Sequence, residues 1–175
     1  MQIKDCVMKS EVHILNNIVY KDTFYGDITK IFYVLEDIQF GVNSNNNWIQ
    51  LSDGNKEINN LEDKMIIDEV NDSILSLLEI NINNLKESIK KSLKNNKITD
   101  VLAETFPYET VIMNGLYSES DWWVGLSLGW LNDMKIKNNY NYNKIMAMVE
   151  KIRDNKEYDQ NIRHKAKKVF FKYTI

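Results

Sequence analysis

Apolar side chains recur at intervals of three and four residues along most of this chain, a spacing that gathers them on one face of a helix. Between Leu61 and Leu93, one stripe is formed by Met65, Ile66, Val70, Ile74, Leu77 and Leu78, and a second by Ile82, Leu85, Ile89 and Leu93. A break is expected near Asn81 to Asn84. After Asp27, a residue suited to capping, Ile28, Ile31, Phe32, Leu35 and Ile38 repeat the spacing up to Gly41 and predict a further helix. From Gly41 to Asn60 the chain is polar and turn-rich, with Asp53-Gly54 as a tight-turn signal. That segment predicts a long loop or a small β-hairpin near 47–58, its strands around Trp48 to Leu51.

Further along, Asn95-Asn96 ends a helix, Ile98 to Thr105 makes a short one, and Pro107 stops it, because the residue before proline is pushed out of helical geometry. Ser118 to Asp121 supplies caps and first-turn acids for Asp121 to Met134, which is apolar nearly all round and is therefore expected to be central. Gly125 and Gly129 lie four apart and would let a neighbouring helix approach. Tyr142, Ile145, Met146, Val149 and Ile152 mark an amphipathic helix; Asp159 caps a last one through Ile162, Ala166, Val169, Phe170 and Tyr173. With 23 Asn and only 3 Ala, these helices must be held by packing more than by propensity. The expectation is an all-α fold of six to eight helices in a single helical domain, 1–175: a multi-helix bundle or a short stack of helical hairpins. Asp159, Ile162, Arg163, Ala166 and Phe170 are spaced like the second helix of a HEAT-type repeat. That resemblance covers one helix, with no second copy at the ~40–47-residue period of such repeats.

The composition, 43% apolar and 27% charged with one Pro, is that of a globular chain of 175 residues. A lone Cys6, no apolar run long enough for a membrane span and charges throughout the first residues predict a cytoplasmic protein.

The inventory for catalysis is sparse. The imidazoles are His13 and His164, without the helical spacing of a metal pair. Ser88 and Lys91 have Ser-x-x-Lys spacing, an expected coincidence among twenty lysines. Asp68 and Asp72 stand one helical turn apart within the acidic run Glu62, Asp63, Asp68, Glu69, Asp72, but without the loop ligands of a calcium or magnesium site. No phosphate-cradling glycine loop is present. No catalytic, cofactor or metal residue is therefore assigned; an enzyme built on Asp68, Asp72, Cys6 or a histidine ranks last among the readings.

Charge is more informative. Residues 1–133 hold 21 acids against 11 bases, a net of −10, and residues 134–175 hold 4 against 11, a net of +7. Lys165, Lys167, Lys168 and Lys172 make one basic face and Lys86, Lys90 and Lys94 a second, but two arginines and a pI near 5.5 argue against a dedicated nucleic-acid binder. Around Pro107, the acids Glu104, Glu109, Glu119 and Asp121 alternate with Phe106, Tyr108, Tyr117 and Trp122, a mixture typical of protein interfaces. Core aromatics flanked by capping acids would give the same pattern.

In its size, low pI, helical reading, aromatic-rich SESDWWVGLSLGWL and HEAT-like NIRHKAKKVF, the chain resembles immunity proteins of bacterial polymorphic and contact-dependent growth inhibition toxin systems. That resemblance implies a cytoplasmic antidote that binds one cognate toxin, often a cationic nuclease domain, and carries over no particular contact residue. The expected partner surface comprises Glu62, Asp63, Asp68, Glu69, Asp72, Glu104, Tyr108, Glu109, Tyr117, Glu119, Asp121 and Trp122. A helical adaptor that binds a peptide or protein without inhibiting an enzyme is the alternative.

Overall fold

A computed structural model describes residues 11–52, 57–61, 72–134 and 140–174. Its N-terminal part is an antiparallel sheet, so the all-α expectation is overturned: the fold is mixed α/β. Five strands, β1 (His13–Asp22), β2 (Gly26–Leu35), β3 (Ile38–Asn43), β4 (Trp48–Ser52) and β5 (Glu57–Asn60), pair in sequence order. The hairpin near 47–58 is present as β4 and β5, paired through Ile49 with Asn60 and Ser52 with Glu57, as one unit of a larger meander.

The helix expected between Asp27 and Gly41 is two strands, and a β-bulge explains why its spacing misleads. Lys30 stands opposite Gly41 and Phe32 opposite Phe40, so Ile31 is an extra residue. The insertion breaks the period of two and leaves Ile28, Ile31 and Phe32 at helical intervals. The density of β-branched and aromatic residues in Ile28 to Val34 favours strand. Gly41 ends nothing: it lies within β3, where a Cβ would come 2.7 Å from both the Ile28 side chain and the Thr29 carbonyl.

The helical part follows the expected order more closely. A short α1 (Asp72–Leu75) runs into a 3₁₀ turn, Ser76–Glu79, and then α2 (Ile82–Asn95). The break falls where expected, with the Asn81 side chain accepting hydrogen bonds from the amides of Asn83 and Asn84. A 3₁₀ helix, Asp100–Thr105, precedes α3 (Tyr108–Tyr117), α4 (Asp121–Asp133), α5 (Tyr140–Asp154) and α6 (Gln160–Thr174). The central helix is α3, buried at every position from Thr110 to Leu116, whereas α4 leaves Trp122 in solvent. At Gly115 a Cβ would meet Ser127 and, at 2.5 Å, Leu78, so α3 and α4 touch backbone to side chain there. Gly125 similarly admits Ile162 of α6, whose Cδ1 would lie only 3.0 Å from a Cβ there, while Gly129 faces nothing within 4 Å.

Sheet and helices share one core that runs from Phe32 and Trp48 to Ala166 and Val169. An aromatic spine links them: Phe32 stacks on Phe40 at 4.8 Å, Trp48 meets Phe106 at 5.1 Å, Phe106 meets Tyr108 at 4.9 Å, and Tyr108 reaches Trp130 at 6.3 Å. The buried indoles keep hydrogen-bond partners, as buried donors must. Trp48 Nε1 donates to the Leu102 carbonyl at 3.2 Å and Trp130 Nε1 to that of Ile80 at 2.9 Å. Among the described residues no helix is long and apolar enough to cross a membrane.

Candidate partner-binding surface

Two turns meet at one end of the helical layer. The α3–α4 turn is folded by Ser118, whose hydroxyl donates to the Gly115 carbonyl at 2.8 Å, and places Glu119 at φ 57°. In the α5–α6 turn the Asn155 side chain accepts from the Glu157 amide at 3.0 Å, and the Asp159 carboxylate caps α6 through the Asn161 amide at 2.8 Å. Asp121, at the first turn of α4, accepts from the Asp159 amide at 3.4 Å and ties the turns together. The negative charges of Glu119, Asp121 and Glu157 act on Tyr158. Burial, and then those negative charges, raise its phenol above the ordinary tyrosine value.

Beside this acidic end, α4 and α6 enclose a groove of about 310 Å³ whose walls include Asp121, Trp122, Leu126, Asp159, Ile162 and Lys165. Gly125 lies in its floor, which is why α6 can sit so close. Trp122 is 54% exposed at the rim and Tyr117 is 44% exposed at the end of α3. Both are large side chains left partly in water on well-packed helices.

The structure brings together only part of the expected surface. Tyr117, Glu119, Asp121 and Trp122 belong to this end. Tyr108 does not line a surface: it is 5% exposed, lies in the aromatic spine and donates its hydroxyl to the Ala103 carbonyl at 3.0 Å. Glu104 is exposed but paired with Lys90 at 3.1 Å, and half-buried Glu109 accepts from Asn141 at 3.3 Å. These three lie at or before the start of α3 and Tyr117 at its end, about 13 Å away along the axis, so the stretch from Glu104 to Asp121 is split in two. Asp72 opens α1; Glu62, Asp63, Asp68 and Glu69 lie outside the described residues, as does Cys6. The sequence reading missed Glu157 and Tyr158 and used Asp159 only as a cap. Their signal, a turn-rich Asp154 to Asp159 beside the last helix, becomes a site only once α4 is folded against it.

His13 stacks on Tyr33 at 4.7 Å on the sheet, and His164 is exposed on α6. Among the described residues no three side chains of His, Cys, Asp or Glu gather as a metal site. The basic face of Lys86, Lys90 and Lys94 is compensated: Lys86 lies over the Tyr108 ring at 5.0 Å, Lys90 pairs with Glu104, and Lys94 pairs with Asp100 at 3.1 Å. No protein family, curated protein or solved structure matches the chain.

Proposed function

We propose that this chain is a non-catalytic binding protein of the immunity type, which works in the cytoplasm and neutralises a cationic toxin domain by docking the α4–α6 end onto it. The observation that carries the proposal is Trp122. A half-exposed indole stands at the rim of an apolar-floored groove, between Asp121 and Asp159 and near Glu119 and Glu157. Exposed Trp and Tyr anchors on rigid elements are the side chains that dominate protein–protein affinity. Carboxylates around them steer a basic partner and speed encounter. Tyr117 supplies a second anchor on the same end.

The test is to co-express the chain with the C-terminal domain of the protein encoded by the neighbouring gene, and to follow growth and complex formation. Neutralisation by the wild type is expected, with Trp122→Ala weakening affinity by at least about 2 kcal/mol, roughly thirtyfold. Asp121→Lys with Asp159→Lys should slow association more than it speeds dissociation. Undiminished toxicity in the presence of the wild-type chain, or full protection by Trp122→Ala at limiting expression, would overturn the proposal.

A further inference from the structure

On the opposite side of α6 from Trp122, a groove of about 440 Å³ between the end of α5 and α6 is lined by Arg153, Asp154, Arg163, His164, Lys167 and Phe171. We infer that it is an anion site for a ligand joining a phosphate to a planar ring, that is, a nucleotide, free or within a single strand. Its size is that of a small-molecule site.

The first reason is charge that no carboxylate balances among the described residues. From Gln160 to Thr174, α6 carries Arg163, Lys165, Lys167, Lys168 and Lys172 and no acid. Lys172 is used internally, donating to the carbonyls of Leu131, Asn132 and Met134 at the end of α4. The acids that α5 offers nearby, Glu150 and Asp154, are both taken by Arg153, at 3.1 and 2.6 Å. Asp154 accepts from Nε and from Nη2 of that one guanidinium, so it is a neutralised wall of the groove. Arg163 and Lys167 pair with no carboxylate among the described residues, in contrast to Lys90 and Lys94 of the same protein. The second reason is an unsatisfied donor: Arg163 Nε is buried and has no acceptor among the described residues. Burial without a partner disfavours such a group, and a shift of the side chain that opens Nε to a phosphate oxygen in the groove would relieve it. The third is Phe171, 46% exposed and two turns beyond Arg163 on the same stripe as Lys167. Arg163, Lys167 and Phe171 are spaced four apart, so two cations lead to an aromatic face along one side of the helix. Phosphate on the guanidinium and ammonium leaves an attached base beside that ring, the pairing of charge and stacking that nucleotides use. A pI near 5.5 averages over the acidic end and conceals this local imbalance.

Two probes separate the sources: N-methylanthraniloyl-ATP, and a fluorescein-labelled thymidylate oligonucleotide, each titrated into the full chain at several salt concentrations. Two phosphate contacts predict oligonucleotide affinity that falls about sevenfold between about 50 and 200 mM salt. The Arg163→Gln, Lys167→Gln pair should weaken binding at least about tenfold. Phe171→Ala should weaken it about fivefold or more. Trp122→Ala and Lys165→Gln, on the other side of α6, should leave it unchanged. Tighter binding of the oligonucleotide than of the nucleotide assigns the site to a strand; binding of the nucleotide alone assigns it to the free form. Lys167 is exposed, so Lys167→Gln alone, expected to lose part of the affinity, serves if the pair disturbs folding. Failure of both probes to bind at about 1 mM, or binding that ignores Arg163 and Lys167 or is lost equally in Lys165→Gln, would overturn the inference.

Discussion

Ser92→Ala tests how the sheet is joined to the helices. Ser92 is fully buried in the last turn of α2, and its hydroxyl lies 2.5 Å from the Ile31 carbonyl and 3.1 Å from that of Leu15. Ile31 is the bulged residue of β2 and stands opposite no residue of β1 or β3. Its carbonyl accepts from Ser92, which has one hydrogen to give. Leu15 keeps a second donor, Asn96 Nδ2 at 2.8 Å, so alanine orphans Ile31 more than Leu15. An unsatisfied buried carbonyl is unfavourable by about 1–3 kcal/mol, and the higher helix propensity of alanine returns about 0.5 kcal/mol. The net expectation is a loss of about 0.5–2.5 kcal/mol, a fall in Tm of about 1–10 °C for a chain of this length. Urea unfolding with an unchanged m value would measure it, with Ser88→Ala, half-exposed on the same helix, as a control expected within about 0.5 kcal/mol of wild type. Hydrogen exchange adds a local readout. The Asn17 amide donates to Asn96 Oδ1 at 2.6 Å, so Asn96→Ala should speed its exchange and Ser92→Ala should spare it. Stability of Ser92→Ala within about 0.3 kcal/mol of wild type, below the smallest net loss expected, would refute the role given to the bulge.

Gly115→Ala and Gly129→Ala should have opposite signs in the same urea assay. The first drives a methyl into Ser127 and Leu78 and destabilises by about 1–3 kcal/mol, while the second meets nothing and gains up to about 1 kcal/mol of helix propensity. Trp122→Ala should leave stability within about 0.5 kcal/mol, because the indole is half in water; a larger loss would make Trp122 a packing residue and remove it from the docking surface. Burial, and then the Glu104 charge, push the Tyr108 phenol above its ordinary value, so the neutral hydroxyl is the form the fold holds. A raised folded value means stability present below the unfolded pKa of about 10 and lost as pH climbs above it. Wild type should accordingly lose more stability than Tyr108→Phe between about pH 9 and 11.5. Parallel losses in the two proteins, read by denaturant unfolding alongside tyrosinate absorbance, would contradict the assignment.

Helix ends were legible where a side chain marks them: Asn81 caps α2, Asp159 caps α6, and Asp121 places an acid in the first turn of α4, where the helix dipole favours it. What escaped were elements whose pattern is produced by their neighbours. The bulge at Ile31 gave β2 the spacing of a helix, and periodicity alone does not separate the two when a strand is buried by sheet and helices at once; the β-branched and aromatic density of Ile28 to Val34 is the signal that does. Helix α3 was hidden for the opposite reason. A helix covered on every side has no polar face, so Tyr108 to Tyr117 carries no stripe to find, and the central role fell to α4. Tyr108 and Trp122 illustrate the limit for the site. Both are aromatics beside acids, but Tyr108 has the Ala103 carbonyl within reach and Trp122 has only solvent and the groove.

The division of charge along the chain does not survive folding unchanged. Asp100 and Glu104 belong to the acidic stretch, but so do Lys90 and Lys94, and the fold cancels them against one another. Among the described residues two clusters of charge survive that cancellation: carboxylates at the Glu119, Asp121, Glu157 and Asp159 end, and cations from Arg163 onward on α6. Asp159 and Lys167 are eight positions apart, about 12 Å along the helix. Opposite charges at that separation, with a Debye length of about 8–10 Å at moderate salt, form a dipole that a partner feels only at close range. Such a field orients a basic surface toward Trp122 and turns an anion toward Arg163, so two ligands of opposite charge can occupy the two sides of one helix. Raising salt should then weaken both, and reversing Asp121 and Asp159 should impair only the first.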